Sequence, residues 1–140
     1  MMNLNLSENT CYCYTGARRL EPGRPTVVFI HGAGHDHSVW TLQTRYFASH
    51  GWNVVAPDLP GHGRSGGPAL ASIEALADWV LALLGALGVE QAMLVGHSMG
   101  SLIALEAAAR APDRITRLAL VGSVFPMPVA PPLLEATLSA

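Results

Sequence analysis

The chain has 140 residues, half of them apolar, with eight basic and ten acidic side chains and a formal net charge of −2. That composition describes one globular domain, residues 1–140, with material for a real core, and it excludes a disordered segment. All eight basic residues are arginines, scattered from Arg18 to Arg117 with no run longer than Arg18-Arg19, so neither nucleic acid nor an anionic membrane is expected as a partner.

The first ten residues have no basic lead followed by an apolar core, so no secretory signal is read there. Residues 4–14 are expected to add one or two strands at a sheet edge. They hold the only cysteines, Cys11 and Cys13, which would share one face of a strand. A two-residue link is poor geometry for a disulfide, so reduced, partly buried thiols and a cytoplasmic compartment are expected. No second CxC or HxxxH completes a four-ligand set, and His35 and His37 are expected in a solvated loop; hence no metal and no cofactor is expected.

Thr26-Val27-Val28-Phe29-Ile30 is a continuous apolar run rich in β-branched residues, bounded by Pro25 and by His31-Gly32. It suits a strand buried on both faces. Similar runs recur at Asn53-Val54-Val55-Ala56, Ala92-Met93-Leu94-Val95 and Leu118-Ala119-Leu120-Val121. Helical periodicity lies between them. Val39, Trp40, Leu42, Tyr46 and Phe47 predict a first helix ending near Gly51. Ile73 to Leu87 carry a second, opened by Ser72 as N-cap and closed by Gly88. Leu102, Ile103, Leu105, Glu106 and the alanines to Ala111 carry a third, stopped by Pro112. The alternation predicts an α/β domain: a mostly parallel sheet with right-handed crossovers and helices on both faces. The longest apolar stretch, residues 79–89, is too short to span a bilayer. Beyond Gly122 the pattern stops, and residues 124–140 are proline-rich and then briefly amphipathic.

The strongest chemical signal is Gly96-His97-Ser98-Met99-Gly100, a G-x-S-x-G set between a strand and a helix, the context that such a motif requires. There Ser98 would be thrust out on a strained turn at a helix N-terminus, where backbone N–H groups face any developing anion. The alternative is a serine in an ordinary glycine-rich turn. His31-Gly32-Ala33-Gly34 is the second signal, at the carboxyl end of the first long strand. If residues 26–30 lie between residues 53–56 and 92–95, the strand order reverses between this loop and Ser98, where open α/β sheets bind ligands. The Ala33 and Met99 N–H groups would then form an oxyanion hole, worth about 3 kcal/mol per donor. The glycines could also merely turn the chain. His31, Gly32, Gly34 and His97 flank this centre and are the candidate substrate contacts. Residues 61–66 also read as G-x-G-x-x-G, but Pro57 to Pro60 intervene after the strand, Gly67-Pro68 follows, and no acid stands at a strand end about 20 residues on; a structural turn, with Asp58 capping local N–H groups, fits better.

Together with Asp58-Leu59-Pro60-Gly61-His62-Gly63-Arg64-Ser65, these motifs resemble the N-terminal part of an α/β-hydrolase-fold enzyme, in that family's order and spacing, over residues 26–125. The resemblance implies a Ser98 nucleophile, an oxyanion hole from Ala33 and Met99, and a small ester-like substrate. Serine rather than aspartate at the elbow points to esterases, lipases, lactonases and thioesterases, and away from haloalkane dehalogenases and epoxide hydrolases. It also implies that residues 124–140 begin a lid or cap segment. The family order is serine, acid, histidine, yet after Ser98 the chain offers only Glu106, Asp113 and Glu135 and no histidine. The upstream histidines are expected in structural or solvated roles rather than as a substitute base, His31 being the best of the set for one, and His97 is expected to point away from Ser98. The 140-residue chain is therefore expected to turn over little by itself. The competing readings are a non-catalytic binding module and one half of a split enzyme. The strand at 118–121 would leave an open apolar edge through which the chain could self-associate.

Overall fold

The computed structural model of the protein describes residues 2–6 and 8–122. Two strands at the amino end, β1 (Met2–Leu6) and β2 (Asn9–Tyr14), form an antiparallel hairpin in which Leu4 faces Cys11. The remaining strands are β3 (Thr26–Ile30), β4 (Asn53–Pro57), β5 (Ala92–His97) and β6 (Ile115–Val121). One six-stranded sheet results, in the order β1-β2-β4-β3-β5-β6. β2 runs antiparallel to β4, and β4, β3, β5 and β6 are mutually parallel. As expected, β3 lies between β4 and β5, so the chain winds outward from β3 in both directions.

β3 shows why this sequence must be central. All five of its residues are buried, and the period of two splits them between the sheet's faces. Val28 and Ile30 pack with Val55 and Leu94 under the two helices α2 (Ile73–Ala86) and α3 (Met99–Arg110). Val27 and Phe29 pack with Val54, Ala56 and Val95 on the opposite face, beneath Trp40 and Ala48. Phe29 meets Trp40 with ring centroids 5.2 Å apart and Phe47 at 5.6 Å. Burying each such side chain contributes about 1.5–3 kcal/mol, before the entropy of ordering is subtracted.

The helix boundaries follow local chemistry. The Ser72 hydroxyl accepts the Ala75 N–H at 3.0 Å, and Gly88, at φ 70°, turns the chain out of α2. The first predicted helix divides in two: a 3-10 turn, His37–Trp40, capped by the Asp36 carboxylate on Ser38 N–H at 2.8 Å, and then α1 (Thr41–Ser49). The split places Trp40 inward at the junction, 6% exposed, against Phe29.

Among the described residues β6 stands at the sheet margin, paired only with β5, and leaves Leu118, Leu120 and Val121 exposed. The segment 124–140, expected to begin a lid, lies outside the described residues. No helix among the described residues is long and apolar enough to cross a membrane.

Candidate active site

Ser98 is the single residue between β5 and α3, at φ 56° and ψ −120°. A side chain at positive φ is strained by clash of its Cβ with the following carbonyl, and the surroundings must hold it there. They do so from both sides. Ser98 N–H donates to Val121 O at 3.0 Å, and Ser98 O accepts from Ser101 N–H at 2.9 Å and from the Ser101 hydroxyl at 2.5 Å. The flanking glycines permit the turn: a Cβ on Gly96 would overlap the Gly100 carbonyl, and one on Gly100 would overlap the carbonyl of Ile30. Ser98 is left half-buried at the carboxyl edge of the sheet.

The loop after β3 lies against this elbow. A Cβ on Gly32 would come within 3.3 Å of both Ser98 Cβ and His97 O, so the absence of a side chain allows the close approach. His35 N–H donates to Gly32 O at 3.2 Å, closing a turn over Ala33 and Gly34, with Gly34 at φ 75°. As the first residue of α3, Met99 has no intrahelical acceptor for its N–H. The structure thus brings Gly32, Ala33, Gly34, Ser98 and Met99 to one corner of the sheet, at the point where strand order reverses.

The histidines are distributed differently from expectation. His31 is fully buried: its Nε2 accepts the Leu59 N–H at 3.0 Å, which fixes the proton on Nδ1, and that nitrogen donates to Gly32 O at 2.8 Å. Burial holds its pKa down at about 4, the chief cause being the lost hydration of the charged ring. His31 was expected among the substrate contacts, with a structural role favoured over that of a substitute base; both ring nitrogens are occupied by backbone, and the side chain is a structural tie. The His97 ring lies parallel to that of His35, centroids 6.5 Å apart, and meets Trp40 edge-on at 6.4 Å, forming an aromatic wall beside the elbow.

The loop after β4 is built on Asp58, which is fully buried. Its Oδ1 accepts from His37 N–H and His37 Nδ1, both at 2.8 Å, and its Oδ2 from Arg64 N–H at 2.8 Å. The Ser65 hydroxyl donates to Asp58 O at 2.5 Å and accepts Tyr12 N–H at 3.0 Å, stitching the loop to β2. This is the capping role read from the sequence, and no helix opens at Gly66, as a dinucleotide fingerprint would need. The sequence reading missed His37 as the partner of Asp58 and His62 as a tie between loops. The one signal for either was a histidine placed among glycines in each loop. Asp36, His37 and Asp58 are the one group among the described residues whose ligand atoms converge, within 4.8 Å of one another; each is already engaged, Asp36 by Ser38 and the other two by each other.

A depression of about 310 Å³ lies apart from this corner, lined by Cys11, Pro60, Leu70, Trp79 and neighbours. Cys11 and Cys13 are free, with their sulfurs 3.7 Å apart.

Comparison with known proteins matches residues 25–138 to the model of a family described as alpha/beta hydrolase fold. The (E)-2-((N-methylformamido)methylene)succinate hydrolase of Acinetobacter baylyi is 35% identical over 123 residues, 87% of this chain and 45% of that protein. An epoxide hydrolase of Caballeronia sordidicola is 40% identical over 94 residues, 64% of this chain and 28% of that protein. Among solved structures, a membrane phospholipase A described as a bacterial virulence factor superposes with a TM-score of 0.77 at 34% identity, covering 85% of this chain and 38% of that one. The chain thus spans less than half the length of these relatives.

Proposed function

The chain belongs to the alpha/beta hydrolase fold family, and we propose that it carries the nucleophile of a serine hydrolase that cleaves a carboxylic ester, lactone or thioester. The observation that carries this reading is the strained Ser98, held at φ 56° on the tip between β5 and α3 with the Gly32 turn packed against it. Strain that the surroundings over-determine, at a half-buried corner of the sheet beside the Gly32 turn, supports reading Ser98 as a group presented for chemistry.

In the proposed reaction a base takes the Ser98 hydroxyl proton as Oγ attacks the substrate carbonyl carbon. The carbonyl oxygen becomes an anion, accepted by the N–H groups of Ala33 and Met99 and by the positive end of α3; each donor contributes about 3 kcal/mol to the transition state. Collapse of the tetrahedral adduct expels the alkoxide or thiolate, which takes the proton back from the base and leaves an acyl-enzyme on Ser98. Water then attacks that ester by the same steps. The rings of His35 and His97 beside the elbow, the latter backed by the buried Trp40, form the surface against which the acyl group would lie.

No histidine follows Ser98 among these 140 residues, and three of the upstream ones, His31, His37 and His62, are tied to Leu59, Asp58 and Gly34. With no histidine after Ser98 to take its proton in the family's order, the 140-residue chain by itself is expected to turn over little or no ester. Serine separates this reading from an epoxide-opening one: its hydroxyl on an ester carbonyl leaves an acyl ester that water can cleave, whereas on an epoxide carbon it would leave an ether that water cannot. The free, buried Cys11 and Cys13 support a reducing, cytoplasmic setting.

The test is hydrolysis of p-nitrophenyl acetate and of phenyl glycidyl ether by the protein from the complete reading frame, beside Ser98→Ala and beside the 140-residue chain. Ester turnover that falls about 10⁴-fold or more in Ser98→Ala and is absent from the short chain is the expected result. Undiminished turnover in Ser98→Ala, or epoxide opening without ester cleavage, overturns the reading.

A further inference from the structure

The turn that carries Ala33 does not hold itself. Its one internal hydrogen bond, from His35 N–H to Gly32 O, is 3.2 Å long, and Gly32 and Gly34 are the most conformationally free residues available. The His31 ring holds the turn's first residue, through Gly32 O at 2.8 Å, and what meets the turn's far end at Gly34 is His62. Gly34 N–H donates to His62 Nε2 at 3.2 Å, so that nitrogen is the acceptor and the proton lies on Nδ1, which donates to Pro60 O at 3.0 Å. His62 is 7% exposed, its ring centroid 5.2 Å from that of His31. The two rings work in opposite directions across the same gap. His31, at the end of β3, takes an N–H from Leu59 in the loop after β4; His62, in that loop, takes an N–H from Gly34 in the loop after β3.

The His62 anchor is itself fixed. His62 N–H donates to Leu59 O at 2.9 Å and Ser65 N–H to His62 O at 3.0 Å, while Asp58 holds the loop's other end through Arg64. The imidazole is thus mounted on a loop cross-tied by its own hydrogen bonds and reaches across to one that carries two glycines. A neutral ring is required, since a protonated Nε2 would face the Gly34 N–H donor to donor.

We propose that His62 is a positioning residue: by accepting the Gly34 N–H from a ring anchored on Pro60, it fixes the turn whose Ala33 N–H receives the substrate oxyanion. This rests on the reading of Ala33 as an oxyanion donor. Oxyanion donors act only when aimed at where the charge develops, and misplacement by about 1 Å can cost about 100-fold. His62 touches no reacting atom, so its loss lowers kcat and leaves ground-state binding in place.

Two near-isosteric substitutions separate the ring's nitrogens. His62→Asn keeps a donor near the Nδ1 position, for Pro60 O, and removes the Nε2 acceptor; His62→Gln places an acceptor oxygen near the Nε2 position. In the protein from the complete reading frame, His62→Asn is expected to lower kcat for p-nitrophenyl acetate about 10- to 100-fold with KM within about twofold, while His62→Gln recovers most of the loss. In the same variants, amide hydrogen exchange at Gly34 rises about tenfold in Asn and less in Gln, with exchange in β3 and β5 unchanged. Equal kcat in wild type and His62→Asn overturns the proposal, as does an exchange increase spread evenly over the sheet, which would mark a role in stability alone. If Ser98→Ala retains full activity, the hydrolase reading fails by itself, and Gly34 exchange still decides whether His62 holds the turn: unchanged exchange in Asn overturns it.

Discussion

Gly100, in the first turn of α3, lies in backbone contact with Ile30 at the end of β3: a Cβ on Gly100 would overlap the Ile30 carbonyl oxygen and sit 2.7 Å from His31 O. The obstacle is main chain at the end of a fully buried strand, which cannot swing aside. Gly100→Ala is therefore expected to destabilise the fold by about 3 kcal/mol, read as a fall in the urea midpoint at unchanged slope. Gly85 gives the opposite sign. It lies within α2 with nothing within 4 Å of its Cβ position, so Gly85→Ala is expected to stabilise by about 0.5–1 kcal/mol.

Ser98 stores strain that a glycine would release. At φ 56° a Cβ costs about 1–3 kcal/mol, partly offset by the extra freedom glycine has when unfolded. Ser98→Gly is expected to raise stability by about 1 kcal/mol in urea unfolding while removing ester turnover, whereas Ser98→Ala removes turnover and keeps the strain. A Ser98→Gly protein less stable than wild type would mean the elbow is not strained.

His31 makes stability depend on pH. Folded, burial holds its pKa at about 4, and unfolded it returns toward 6.5, so below pH 6.5 the unfolded chain gains a proton that the native state refuses. The contribution is whole above pH 6.5 and drains away as pH falls from 6.5 to 4, by about 3 kcal/mol at most. Urea midpoints measured across that window should fall in wild type and fall less in His31→Gln, whose side chain has no proton to take up.

Asp58 concentrates three donors on one buried carboxylate: His37 N–H, His37 Nδ1 and Arg64 N–H. Asp58→Asn turns one accepting oxygen into an NH₂ that faces a backbone N–H. A loss of about 2–3 kcal/mol is expected by thermal or urea unfolding. Asp78, whose partner Arg110 is on the surface, gives the contrast: Asp78→Asn should cost about 0–1 kcal/mol.

The parallel core was readable because burial on both faces leaves a mark in composition. Val27 to Ile30 and Val54 to Ala56 are apolar at every position, and no other element type of that length needs to be. Ser72, Gly88 and Pro112 marked helix ends because capping and chain reversal are local chemistry. The elbow was readable for the same reason, since its glycines answer to contacts within five residues and to the adjacent strand. The 3-10 turn at His37–Trp40 was not, because, although its cap Asp36 is local, the Asp58 that takes the His37 N–H lies 21 residues away and competes with the helical periodicity.

By itself, then, the amino-acid order determined the α/β winding, the place of Ser98 at a strand-to-helix turn, and the glycines that let backbone approach backbone, each a matter of local sterics and of which faces are buried. Which histidine serves and which merely holds was decided only by tertiary structure. His31, His37 and His62 are equivalent in sequence, each in a polar loop at the same edge of the sheet. Their roles follow from what the fold sets opposite each ring, Leu59 N–H, the Asp58 carboxylate and Gly34 N–H, and a hydrogen-bond partner 21 to 28 residues away leaves no trace in local pattern.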